Sequence, residues 1–172
     1  MAAAQLKTTD GRLSRPGLRA ESATMGEGFN LRRFQDAQDG RDGPGTIYER
    51  ALDELKAGRK LTHWMWFVFP QLEGLGQSFM AQKFAIGTLD EARAYLGHPV
   101  LGPRLRACVA ALNALEGKSA YDIFGIPDDL KLHSSLTLFA RATKDNADFL
   151  AALDKYFDGE FDAGSMRLLP PD

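Results

Sequence analysis

The sequence predicts a mainly α-helical protein, folded as a single compact domain of seven or eight short helices. Apolar residues recur at helical spacing through most of the chain, and capping residues and glycines bracket those stretches. The chain has 172 residues, of which 44% are hydrophobic and 26% charged, as in an ordinary globular domain. At most a short extended segment is expected, near residues 64–69.

The predicted domain covers residues 29–169. Residues 1–28 are rich in Ala, Gly, Ser, Thr and Arg and contain too few apolar side chains to offset the entropy of ordering, so a disordered extension is expected. The same segment has no apolar central region and does not resemble a secretory signal. Met25 is a candidate for the true start of the chain, and residues 170–172 form a short tail.

Two helices are predicted at the start of the domain. Asn30 can cap a short helix that carries Leu31 and Phe34 on one face. Thr46 and Glu49 stand at the spacing of a capping box, which predicts a second helix that ends at the next glycine.

The next segment is the aromatic run, residues 63–71, His-Trp-Met-Trp-Phe-Val-Phe-Pro-Gln. Its pattern fits a short strand, an extended segment or a buried helical turn. Pro70 disfavours helical geometry at the preceding residue, so any helix is expected to end there. Another short helix is predicted within residues 78–86.

Helical signatures repeat along the second half of the chain. They predict helices over residues 90–96, 99–117, 119–124, 128–141 and from 145 to about 157. Thr88 and Glu91 form a capping signature for the first of these. Asp128 and Asp145 can cap the last two.

Charge and composition exclude several functional classes. The net charge of −2 gives no broad attraction for nucleic acid or for an anionic membrane, and no segment approaches the ~18 apolar residues of a membrane span. Cys108 lies in an apolar helical stretch and is expected to be a packing residue in a reducing cytosol. Because His63, His98 and His133 lack ligand spacing, no metal is expected, and no cofactor motif is present.

The aromatic run is the first candidate site, with His63, Trp64, Trp66 and Gln71 as its residues. One interpretation is a core nucleus with a hydrogen-bonded histidine at its rim. The other is a pocket in which a tryptophan face stacks on a planar ligand while His63 or Gln71 contacts a polar edge. The residues leave both interpretations open.

The predicted helix over residues 128–141 carries the second candidate. Its candidate residues are Lys131, Ser134, Ser135 and Thr137. In one interpretation the lysine is solvated and the hydroxyls bond back to the backbone. In the other the lysine and hydroxyls line a polar pocket for a phosphate. Arg104, within residues 98–105, is a third candidate. A surface position at a helix corner is favoured for it over a contact with a phosphate or carboxylate.

Together these stretches resemble a bacterial family, the domain-of-unknown-function family 1810, often labelled calpastatin. Besides the aromatic run, the similarity rests on Leu75-Gly76, residues 91–96, 98–105, Phe124-Gly125, 128–132 and 134–139. It implies a mainly helical, cytoplasmic bacterial protein without an established activity. A partial similarity to bacterial N-glycosidases that act on phosphorylated riboflavin intermediates and ADP-ribose derivatives supplies a substrate class to test.

These observations lead to one main hypothesis and two alternatives. The main hypothesis is a domain that binds, and could hydrolyse, a nucleotide-like or phosphorylated-sugar ligand, with Asp128 as the candidate that activates water. The first alternative is a non-enzymatic interaction module that exposes the aromatic run to a protein partner. In the second alternative the run is pure core.

Overall fold

The computed structural model describes residues 28–172, and the predicted extension lies outside them apart from Gly28. The mainly α-helical class is confirmed, but the described part of the chain forms ten helices rather than seven or eight. They are α1 (Arg32–Asp39), α2 (Ile47–Ala57), α3 (Met65–Val68), α4 (Phe79–Lys83), α5 (Leu89–Gly97), α6 (Leu101–Ala114), α7 (Ala120–Phe124), α8 (Asp128–Ala142), α9 (Ala147–Phe157) and α10 (Ala163–Leu168).

The aromatic run adopts the third of its predicted conformations, a buried helical turn. The turn is α3, which ends at Val68, just before the Phe69-Pro70 pair. Extended pairing within residues 28–172 is limited to one parallel bridge between Leu72 and Ile86. Short helices such as α3 and the unpredicted α10 account for the higher helix number.

The predicted caps are partly confirmed. The side chain of Thr46 accepts from the Glu49 N–H and the Glu49 carboxylate accepts from the Thr46 N–H, which completes a capping box. Asn30, Asp128 and Asp145 are not caps, contrary to prediction. Helices α1, α8 and α9 are preceded by Leu31, Pro127 and Asn146, none of which makes a side-chain cap. Asp128 instead lies inside the first turn of α8, where its carboxylate binds two lysines.

Helix α8 lies at the centre of the domain. It packs against α5, α7, α9 and α10, while α6 packs against α2, α5 and α9. From Ser134 to Ala140 every side chain of α8 is buried. The end of α5 and the start of α6 meet at backbone distance, because a Cβ at Gly102 would lie 2.0 Å from the carbonyl oxygen of Leu96.

Cys108 is a fully buried residue of α6, as expected of a packing cysteine. Burial raises the pKa of its thiol to about 12, which keeps the group neutral and unreactive at physiological pH. No helix within residues 28–172 has the length and apolar character that a bilayer crossing requires.

Candidate functional site

The aromatic run divides into a packed part and an accessible part. Trp64 is fully buried, as are the apolar side chains that follow it, apart from Trp66. Trp66 and Gln71 are partly exposed, and His63 is exposed. The run therefore builds much of the core and presents only one aromatic face to solvent.

Trp64 is fixed by a buried carboxylate from α2. Its indole N–H donates to Oε2 of Glu54 at 2.8 Å. Glu54 also accepts from the Leu61 N–H at 2.8 Å, the Thr62 N–H at 3.2 Å and the Thr62 hydroxyl at 2.6 Å. Four donors on one carboxylate hold the start of the run against α2.

These hydrogen bonds also set the ionisation of Glu54. Burial by itself would raise the pKa of the carboxyl group, but the hydrogen bonds from Thr62, Leu61 and Trp64 stabilise the carboxylate more strongly. The net result is a pKa below the ordinary value of glutamic acid. Glu54 is thus a structural anion that the aromatic run requires.

Trp66 forms one wall of a narrow crevice with the segment that follows the run. The crevice encloses about 20 Å³, which is room for a single water molecule. It is lined by Trp66, Gln71, Leu72, Glu73, Gly74, Gly76, Ala81, Gln82, Phe84 and Ala85. Trp66 and Gln71, both predicted as site residues, therefore meet here.

Arg33 holds the far wall of this crevice. Its guanidinium donates to the carbonyl oxygens of Lys83 at 2.9 Å and Ala85 at 2.7 Å, and it pairs with Glu91 at 2.9 Å. Both partners of the ion pair are largely buried. The segment that faces Trp66 is thereby tied to α1 and α5.

A cluster of two lysines and one carboxylate lies beside both tryptophans. The Lys60 ammonium is 2.8 Å from one oxygen of Asp128, and that of Lys131 is 3.3 Å from the other. Lys60 lies 5.1 Å from the centre of the Trp64 ring, and Lys131 lies 5.3 Å from that of Trp66. We call Lys60, Asp128, Lys131 and Trp66 the lysine–tryptophan cluster.

This cluster carries a surplus of positive charge in a sheltered position. The side chain of Lys60 is 8% exposed, while those of Lys131 and Asp128 are 24% and 18% exposed. Two ammonium groups share a single carboxylate, so their charges are only half balanced within the cluster. Each oxygen of Asp128 contacts one of these ammonium groups, which holds the carboxylate between the two lysines.

The three predicted hydroxyl groups of α8 are buried among protein atoms. Ser134 donates to the Leu130 carbonyl at 3.0 Å, and Thr137 donates to the His133 carbonyl at 2.9 Å. The hydroxyl of Ser135 has no hydrogen-bond partner among the described residues. None of the three lines the crevice beside Trp66.

Arg104 makes its contacts with α1 and α2, and it shares none of the partners of Lys131. It pairs with Asp39 at 2.8 Å, donates to Gln38 at 3.2 Å and lies 4.7 Å from the centre of the Tyr48 ring. Gln38 in turn donates to the Phe67 carbonyl at 2.8 Å, which links this network to the aromatic run. Burial raises the pKa of Tyr48 to about 12, so its hydroxyl stays protonated.

Sequence reasoning did not select Lys60 as a site residue, and it treated Asp128 as a helix cap or as an acid that could activate water. Lys60 precedes the aromatic run by three residues in a turn whose geometry no local pattern specifies. Its pairing with Asp128, far along the chain, depends on the contact between the 59–62 turn and α7. There the Lys60 N–H donates to the Ile123 carbonyl at 2.7 Å.

Within residues 28–172, no group of His, Cys, Asp and Glu is arranged to hold a metal ion.

The chain belongs to the family DUF1810, described as a protein of unknown function, whose model matches residues 28–169. The solved structure of the conserved hypothetical protein Rv1873 from Mycobacterium tuberculosis is 51% identical, with a TM-score of 0.79, over 85% of this chain and 100% of that one. No curated protein matches the chain.

Proposed function

We propose that the protein binds a small phosphate-bearing ligand with a planar, nucleotide-like part at the lysine–tryptophan cluster. The observation that carries this proposal is the position of Lys131, which lies 5.3 Å from the centre of the partly exposed Trp66 ring and shares Asp128 with Lys60. An aromatic face and a half-balanced pair of ammonium groups are complementary to a ring and an attached phosphate.

In the proposed complex the planar part stacks on Trp66, and Gln71 contacts its polar edge. The phosphate attracts both lysines and competes with Asp128 for them. Because the Lys131 contact with Asp128, at 3.3 Å, is longer than that of Lys60, Lys131 is the lysine expected to turn towards the ligand.

The crevice must widen to admit a ring. The segment between Gln71 and Phe84 forms its outer wall and contains the five-residue helix α4 and exposed loop positions. Gly74 adopts a φ of +96°, a conformation that favours glycine and gives the segment a turn beside Trp66. Loops of this kind open at lower cost than packed helices.

We propose binding and assign no hydrolytic role to Asp128, whose two oxygens each contact a lysine ammonium group. We propose a bacterial cytoplasmic location for this function. The single cysteine of the chain, which is buried, and the similarity to a Mycobacterium tuberculosis protein support that location. The exposed interaction surface of the alternative hypothesis would need more of the aromatic run at the surface than Trp66 and its neighbours Gln71 and His63.

Fluorescence titration of single-tryptophan variants tests the proposal. In Trp64→Phe the remaining emitter is Trp66, and ADP-ribose or ADP is expected to quench it in a saturable manner. Trp66→Phe is the matched variant and should give no saturable response. Lys131→Ala should weaken binding about tenfold or more, whereas Lys144→Ala, which removes an exposed lysine outside the cluster, should not.

Three results would contradict the proposal. They are unchanged Trp66 emission and melting temperature with ADP-ribose, ADP and inorganic phosphate, equal quenching in the two tryptophan variants, and equal effects of the two lysine replacements. If inorganic phosphate binds but ADP-ribose and ADP bind no more tightly, the phosphate contact is supported and the stacking of a planar ring on Trp66 is contradicted.

A further inference from the structure

An open groove lies on the side of Lys60 that faces α7. It has a volume of about 670 Å³ and is lined by Arg59, Lys60, Gly117, Lys118, Tyr121, Asp122, Ile123, Phe124 and Gly125. We call it the α7 groove. It is distinct from the crevice beside Trp66, with which it shares no lining residue.

Large apolar side chains are exposed in and beside this groove. Tyr121, which lines it, is 59% exposed, and the flanking residues Leu61 and Ile126 are 68% and 74% exposed. Folding leaves these side chains in water, where they gain nothing from burial. They come from two segments that the Lys60 backbone hydrogen bond to Ile123 holds together.

The charges in the groove are predominantly positive. Among residues 28–172, no carboxylate pairs with Arg59 or Lys118, and the Lys118 ammonium donates instead to the neutral carbonyl of Gly58 at 2.9 Å. The one acid that lines the groove, Asp122, is engaged in capping α7 through the Ser119 N–H at 2.9 Å. Two cations therefore remain available to a partner.

We propose that the α7 groove docks an acidic peptide segment of a partner protein that also carries apolar side chains. Its carboxylates would meet Arg59 and Lys118, and its apolar side chains would cover Tyr121, Leu61 and Ile126. A second copy of this chain is a poorer occupant, because a symmetric contact would place the cations against each other. A flat anionic bilayer does not fill a concave groove.

Fluorescence anisotropy with a labelled peptide of about 12 residues, rich in glutamate and containing leucines, tests this inference. A peptide with lysine in place of glutamate is the control probe. The acidic peptide should bind and the lysine peptide should not. Combined Arg59→Glu and Lys118→Glu should weaken binding about tenfold or more, with affinity falling as salt rises.

The apolar contribution is tested separately with Ile126→Ser and Tyr121→Ser, which replace exposed side chains and are expected to leave the fold intact. Both replacements should weaken binding of the acidic peptide. Phe79→Ser is the control and should not, since Phe79 is 78% exposed but does not line the groove. Circular dichroism confirms that each variant is folded.

The inference is overturned by any of three results. They are no binding of the acidic peptide, equal binding of the lysine peptide, and equal loss of binding in Phe79→Ser. Binding of anionic phospholipid vesicles that requires Arg59 and Lys118, without peptide binding, would assign the groove to a membrane surface instead.

Discussion

Trp64 and Glu54 form a buried indole–carboxylate hydrogen bond of 2.8 Å that joins the aromatic run to α2. The same carboxylate accepts three further hydrogen bonds from residues 61 and 62. One side chain thus fixes the turn that carries Lys60, which makes Glu54 a structural requirement of the candidate site.

Replacing Glu54 with alanine is expected to destabilise the protein by about 3 kcal/mol or more, because several buried donors lose their acceptor. Glu54→Gln is the matched variant. It keeps one acceptor oxygen and should cost about half as much. Chemical denaturation gives both values, and equal, small effects of the two replacements would contradict this assignment.

The lowered pKa of Glu54 predicts a loss of stability in acid. A carboxyl group whose pKa is lower in the folded state stabilises the fold above its unfolded pKa, and this contribution disappears as the pH falls through the folded value. The free energy of unfolding should therefore decrease below about pH 4.5. Glu54→Gln should show a flatter profile in the same measurement.

The two tryptophans should differ in their contribution to stability. Trp64→Ala removes a fully buried ring and is expected to cost about 3–5 kcal/mol. Trp66→Ala removes a partly exposed ring and should cost about 1–2 kcal/mol. Urea denaturation measures both, and a larger cost for Trp66 would reverse the assignment of core and accessible faces.

Gly102 should not tolerate a side chain. A Cβ there would lie 2.0 Å from the Leu96 carbonyl oxygen, so Gly102→Ala must separate α5 from α6 and is expected to cost about 3 kcal/mol. Gly97→Ala is the control, since nothing lies within 4 Å of a Cβ at that position. Thermal denaturation should show a large decrease in Tm for Gly102→Ala and almost none for Gly97→Ala.

Cys108 should be inert in the native protein. Its thiol is buried, and its pKa is raised to about 12 by that burial, so almost no thiolate forms at pH 8. A disulfide reagent such as DTNB is expected to label the thiol only at the rate of unfolding. Rapid, stoichiometric labelling without denaturant would show that α6 opens locally.

The helical class and several helix starts could be predicted because they depend on neighbours in sequence. The capping box at Thr46 is such a case, since its two partners are three residues apart. The role of Asp128 could not be predicted in the same way. An aspartate before a helix has the local pattern of a cap, but α8 begins at Asp128 itself, and its carboxylate meets Lys60, which only the fold brings near.

In the candidate site, too, contacts between sequence neighbours could be predicted, whereas contacts between distant residues could not. The meeting of Trp66 with Gln71 follows from their closeness in sequence, and the resemblance to the family holds over residues 28–169. Arg104 and Lys131 were both candidates for a phosphate contact, although a surface position was favoured for Arg104. Their different partners, Asp39 for one and Asp128 for the other, are set by tertiary packing.

Asp128 links the lysine–tryptophan cluster electrostatically to the α7 groove. Its oxygens are divided between Lys60, which lines the α7 groove, and Lys131, which covers Trp66. An anion that draws one lysine away leaves the carboxylate to the other and strengthens that remaining contact. If both surfaces bind as proposed, occupancy of one should change the affinity of the other, and thermodynamics would require the effect to be equal in both directions.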